Sequence, residues 1–175
     1  DTGMTLSGGA ALATVDGRSA LAYSDHPSKA ILSSPPSLAG DWTVSMWFKG
    51  LLSDTSQPGN HGWRTAARGS NLDHQIVIQG GTDNLGCYNS TTSTFIDSGF
   101  DLPFANYTGW HHIAAVGTGS TTAYYVDGNY AGSIAFKSSD NIAAIGNDYV
   151  GGQQFADYTD DVRIYNKALT QTEIQ

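Results

Sequence analysis

Trp42-Thr43-Val44-Ser45-Met46-Trp47-Phe48 alternates with period two. In an extended chain Trp42, Val44, Met46 and Phe48 fall on one face and Thr43, Ser45 and Trp47 on the other. Both faces carry an aromatic ring, which predicts an interior strand covered on both sides. Working outward, the same period recurs at 65–68, 75–79, 85–89, 110–116, 123–126, 130–135 and 161–165, each stretch bounded by Gly, Asp, Asn or Ser. Helical periodicity is confined to the last dozen residues. The pattern predicts an all-β fold of two antiparallel sheets packed as a sandwich.

Turn chemistry agrees. Asp127-Gly128 follows Tyr124-Tyr125-Val126 and supplies the positive φ of a tight hairpin, so 121–135 should be one β-hairpin. Pro35-Pro36 and the stretch 54–62, with Pro58-Gly59, cannot lie inside a central strand and read as loops. Thr170 with Glu173 three residues on forms a capping-box pattern for a closing helix.

At 175 residues the chain suits a single domain, 1–175, whose folding hides roughly 70% of the unfolded surface. It opens at Asp1 without an initiator Met and reads as a module cut from a longer protein. The net charge of −8 repels a phosphate backbone, so no nucleic-acid partner is expected, and no apolar run is long enough for membrane insertion. Cys87 is the only cysteine, which rules out an internal disulfide, and it reads as a buried, inert thiol.

Three strings then carry a family resemblance. Gly40-Asp41-Trp42-Thr43-Val44-Ser45-Met46-Trp47-Phe48-Lys49, Trp110-His111-His112-Ile113-Ala114-Ala115-Val116 continuing to Tyr125-Val126-Asp127-Gly128, and Tyr158 through Asp160-Asp161-Val162-Arg163-Ile164-Tyr165 to Thr170 resemble the concanavalin A-like, laminin G-like domains. The resemblance implies a two-sheet antiparallel jelly-roll sandwich. It also implies a choice of functions: carbohydrate-binding modules on secreted enzymes, adhesion or phage-fibre modules, and protein-binding domains. Trp110, Ile113, Val116, Val126, Val162 and Ile164 read most simply as core. His111 and His112, adjacent on a strand, point to opposite faces and cannot chelate together.

Catalysis is not expected. Glycoside hydrolysis uses two flanking carboxyl groups, and the glucanase pattern of this fold sets two Glu and an Asp along one strand. This chain has fifteen Asp but a single Glu, Glu173, near its end. Consecutive Asp160 and Asp161 would project to opposite faces. Gln75-Ile76-Val77-Ile78-Gln79 resembles an alginate lyase strand but lacks the His expected after Gln-Ile.

Hard oxygen donors in an Asp-rich, Glu-poor chain suit calcium. The resemblance implies one structural Ca²⁺ at the sandwich edge, held by Asp16 of the early Asp-Gly and by Asp160 and Asp161 of the closing strand, with Asp25 a further donor. The competing reading makes Asp16-Gly17 a plain turn. A glycan ligand needs an aromatic platform for the sugar's apolar face and polar groups for its hydroxyls. The long loop offers Gln57, Asn60, His61, Trp63 and Arg64; Tyr88, Asn89, Tyr149, Gln153 and Gln154 stand on other loops. Covering about 100 Å² of apolar surface is worth about 2.5 kcal/mol, so one shallow site should bind between about 10 μM and 1 mM and rely on multivalency. The expected function is therefore a non-catalytic, extracellular or cell-surface carbohydrate-binding module, acting beside neighbouring domains of a larger protein. The alternative is an adhesion or spacer module that recognises protein.

Overall fold

The computed structural model describes residues 3–56 and 62–175. Fourteen strands run in order: β1 (Met4–Ser7), β2 (Ala10–Val15), β3 (Arg18–Tyr23), β4 (Lys29–Leu32), β5 (Trp42–Leu51), β6 (Arg64–Gly69), β7 (His74–Ile78), β8 (Asn84–Asn89), β9 (Thr94–Asp101), β10 (Trp110–Thr118), β11 (Thr121–Val126), β12 (Asn129–Ile134), β13 (Ile142–Ile145) and β14 (Ala156–Tyr165). A four-residue helix, α1 (Gln171–Ile174), closes the chain under the expected Thr170–Glu173 capping box. The strands form two seven-stranded antiparallel sheets. The first is ordered β1-β4-β13-β6-β7-β8-β9 and the second β12-β11-β10-β5-β14-β3-β2. This is the two-sheet sandwich that the alternating pattern predicts and the jelly roll that the family resemblance implies.

The core lies between the sheets. From β5 it receives Trp42, Val44, Met46 and Phe48, all fully buried; Ile113 and Tyr124 join them from neighbouring strands of the same sheet, and the facing sheet contributes Ile76, Ile78 and Leu85. Trp42 is fixed by its indole: the Nε1–H donates to the Ser138 carbonyl at 2.8 Å, and Gly117 opposite it leaves room for the ring. A Cβ on Gly117 would lie 2.3 Å from a ring atom, so any larger residue there must displace the tryptophan. Cys87 is buried in the same core, and burial pushes its thiol pKa up, as the inert reading requires.

The 121–135 hairpin forms as expected, with Asp127 and Gly128 both at positive φ. Asp16-Gly17 makes a second two-residue hairpin turn, joining Val15 to Arg18.

Two expectations need correction. Trp110 is not core: it pairs with Lys49 on the outer face of the second sheet and is only half-buried. Strand β5 is central but is not sealed on both sides. On its outer face Thr43 is covered by the chain's tail, its hydroxyl donating to the Lys167 carbonyl and accepting from the Leu169 N–H, whereas Trp47 remains half-buried at the surface.

Candidate functional site

Register decides which side chains meet on the outer face of the first sheet. Arg68 of β6 lies opposite His74 of β7, His74 opposite Tyr88 of β8, and Tyr88 opposite Phe95 of β9. Leu85 and Cys87 belong to the core, so Tyr88 points outward by alternation; Ile76 and Ile78 are core as well, and a register shift between His74 and Val77 turns His74 out beside Tyr88. Gly86, one step along β8, has no side chain, and the Phe95 ring leans over it: a Cβ there would come within 2.8 Å of that ring. Trp63, just before β6, reaches into the same space.

The rings pack edge to face around Trp63 and at a tilt between Tyr88 and His74. Trp63 and Tyr88 have centroids 5.9 Å apart at 79°, Trp63 and Phe95 5.7 Å apart at 72°, and Tyr88 and His74 5.6 Å apart at 57°. Trp63, Tyr88 and Phe95 are each half-buried and so keep surface for a ligand.

Polar groups border this platform. The Thr65 hydroxyl donates to Gln153 Oε1 at 2.6 Å, so its oxygen accepts from His74 Nδ1 at 2.9 Å. That fixes the proton on Nδ1 and leaves Nε2 as an acceptor. Burial, reinforced by the nearby Arg68 cation, lowers the His74 pKa to about 4, so the ring is neutral at pH 7. Arg68 is 7% exposed, its guanidinium lying 5.6 Å from the centre of the Tyr149 ring. Burial lowers the Arg68 pKa against the pull of Asp148 and Asp140. The segment carrying Tyr149 and Gln153 is pinned by Asn147, whose Oδ1 accepts from the N–H groups of Asp148 and Gln153 and whose Nδ2 donates to the Ser28 carbonyl.

Of the residues expected to bind ligand, Trp63, Tyr88, Gln153 and Tyr149 therefore converge on one face. Asn60 and His61, with Gln57, lie outside the described residues. Arg64 is a correction. It opens β6 and is fully buried, donating to the carbonyls of Gly62 at 3.2 Å, Leu52 at 3.1 Å and Thr82, with Asp83 at 3.4 Å. It holds loops together and offers a ligand nothing. Asn89 turns into its own hairpin, accepting from the N–H of Thr91 and Thr92, and Gln154 is buried, donating to the carbonyls of Tyr23 and Ala156. His74, Arg68 and Phe95 were not foreseen. His74 directly precedes the predicted 75–79 strand, a signal that could have found it.

The aspartates expected to hold calcium do not fit a metal site. Asp16 bonds Lys49 and the Trp110 indole N–H, which together hold its pKa below the usual carboxylate value. Asp160 pairs with Arg18 at 3.1 Å, Asp161 with Arg163 at 2.8 Å, and Asp25 accepts from Ser28 Oγ at 2.7 Å. Among the described residues no three acidic, His or Cys side chains are grouped to hold a metal ion. The hairpin-turn reading of Asp16-Gly17 is the one the geometry takes up, and cationic side chains occupy the carboxylates.

A laminin G family model, described as the Concanavalin A-like lectin/glucanases superfamily, matches residues 24–175. None of the curated protein sequences is significantly similar. Among solved structures, domain 4 of AbnA, an extracellular GH43 arabinanase from Geobacillus stearothermophilus in complex with arabinotriose, superposes with a TM-score of 0.70 at 20% identity over 98% of this chain and 85% of that one. The binding domain of Paraclostridial Mosquitocidal Protein 1 gives 0.65 at 20% identity, covering 99% of this chain and 46% of that one. Botulinum neurotoxin type C, whose cell entry is described as depending on two ganglioside molecules, gives 0.64 at 15% identity, covering 98% and 44% respectively. At these identities the likeness concerns the fold.

Proposed function

The chain belongs to the concanavalin A-like lectin/glucanase superfamily, and on that footing we propose that it is a non-catalytic carbohydrate-binding module whose ligand lies on the outer face of the first sheet. The observation that carries this reading is the Arg68–His74–Tyr88–Phe95 row with Trp63 packed against it. The half-buried rings offer apolar surface to the C–H face of a sugar. The His74 Nε2 acceptor and the Arg68 donors supply partners for hydroxyls. The arabinotriose complex of the arabinanase domain and the ganglioside dependence of the neurotoxin support a glycan ligand.

Glycoside hydrolysis would need two carboxyl groups flanking a bound sugar. Strand β7, which crosses its middle, presents His74 and Val77 rather than carboxylates. Glu173 sits on α1, bonded to Lys167 and Thr170. We also infer that the fold stands without calcium, because Lys49, Arg18 and Arg163 already neutralise Asp16, Asp160 and Asp161. A module of this kind works outside the cell, retained through several weak contacts or through neighbouring domains.

Affinity electrophoresis tests the reading. In gels containing soluble arabinan, xylan or mixed-linkage glucan, the protein should be retarded by at least one polymer. Trp63→Ala and Tyr88→Ala should migrate freely while keeping the wild-type near-ultraviolet circular dichroism of the three remaining tryptophans or of all four. Free migration of the wild type in every gel would move the reading to a protein-recognising adhesion or spacer module.

A further inference from the structure

The opposite face of the sandwich carries a separate groove. It measures about 440 Å³ and lies on the outer side of the second sheet, floored by Ser45, Trp47, His112 and Arg163 and walled by the Asp127-Gly128 turn and the chain's tail. The tail is fastened there: Gln171 Nε2 and Gln175 Nε2 both donate to the Gly128 carbonyl, at 2.9 and 3.2 Å. The floor spans three adjacent strands, with His112 of β10 opposite Trp47 of β5, and Arg163 of β14 opposite Ser45.

The floor's polar groups are not consumed by the protein. Ser45 is 6% exposed, yet its hydroxyl makes no hydrogen bond among the described residues. The Trp47 indole N–H and the His112 imidazole likewise have no hydrogen-bond partner there, although the two rings touch at a tilt of 58°, centroids 5.4 Å apart. Arg163 engages Asp161 through Nε and Tyr165 through Nη1, which leaves Nη2 free. Ser45 is mostly buried, but its unpaired hydroxyl opens on the groove, where it is available to a ligand as donor and acceptor. The rim is acidic, with Asp127, Asp161 and Glu173 against the single guanidinium of Arg163. An anionic ligand would be repelled.

We propose that this groove is a second, independent carbohydrate site that takes an uncharged sugar, packing it beside Trp47 and hydrogen-bonding its hydroxyls to Ser45, His112 and Arg163. The module would then hold ligand on both faces of the sandwich and could bridge two glycan chains. The site goes beyond the one on the first sheet and stands or falls separately from it.

The four tryptophan indole N–H resonances in a ¹H–¹⁵N spectrum report on the two faces separately, with Trp47→Phe and Trp63→Phe assigning the relevant peaks. Arabinotriose, cellotriose and maltotriose would each be titrated to about 10 mM, a concentration that populates even a millimolar site. At least one should shift the Trp47 resonance saturably. Arg163→Ala, a change at an exposed side chain, should weaken that shift about tenfold while leaving any Trp63 response unchanged. The inference is overturned if no neutral trisaccharide moves the Trp47 peak. It is equally overturned if trigalacturonic acid or trilysine moves that peak and the neutral sugars do not, which would mark an anion or a basic-peptide site. A Trp63 peak that stays still concerns only the first face.

Discussion

His74 makes the stability of the first sheet depend on pH in a direction that can be worked out. An ordinary histidine takes its proton near pH 6.5, whereas burial and the Arg68 cation hold folded His74 neutral down to about pH 4. Between those values the unfolded chain binds more protons than the folded one, so stability falls as pH drops through the window. From pH 7 to pH 4.5 the loss from this one residue is about 2.5 kcal/mol. Urea unfolding of the wild type and of His74→Gln at both pH values isolates the term, because carboxylate titrations common to the two proteins cancel in the difference. The wild type should lose about 2.5 kcal/mol more than the variant on acidification. Equal losses would refute the buried, neutral histidine and, with it, the Nε2 acceptor assigned to ligand binding.

Three further outcomes follow from particular contacts. Arg64→Met should destabilise the fold by about 3–5 kcal/mol in thermal or denaturant unfolding, since it strands the carbonyls of Leu52, Gly62 and Thr82 and the Asp83 charge. Millimolar calcium or EDTA should leave the melting midpoint unchanged, whereas a clear rise with calcium would show that Asp16, Asp160 or Asp161 takes metal in preference to its cation. Arg18→Ala should cost about 1 kcal/mol, because the guanidinium that lies 4.6 Å from the Trp47 ring and 5.2 Å from that of Trp110 is partly open to solvent, and its pair with Asp160 is correspondingly weak.

The strands that the sequence reveals are those in which bulky residues alternate. Strands β5, β10, β11 and β14 carry Trp, Ile, Val and Tyr at period two, and the Asp-Gly turn between β11 and β12 announces itself. Strands β1 to β4 and β13 are short and rich in Ala, Ser and Leu, while β9 contains Ser98-Gly99; their pairing comes from sheet partners rather than from local pattern. The misplaced Trp110 was avoidable. It stands three residues from Ile113, and an odd spacing on one strand puts the two on opposite faces, so both cannot be core. Val116 obeys the same parity and lies opposite Thr43, buried on the outer side.

The candidate site was legible only in pieces. Trp63, Tyr88 and Gln153 are recognisable as sugar-binding residue types, but their meeting depends on the registers of β6 to β9 and on the loop pinned by Asn147, neither of which is written in any one segment. Arg64 looked like a loop residue beside Trp63; a single step along the chain turns its side chain inward, where carbonyls take up its donors. The expectation of calcium left out a related fact. Carboxylates were read without the cations that the fold brings to them, and Lys49 and Arg18 come from strands distant in sequence.

Binding of a multimerised, labelled preparation to an array of neutral and acidic glycans, with Trp63→Ala alongside, bears most directly on whether this is a carbohydrate-binding module. Signal is expected on at least one neutral oligosaccharide family, unaffected by EDTA and strongly reduced for the variant. Silence across the array at high avidity, or equal signal from Trp63→Ala, would contradict it.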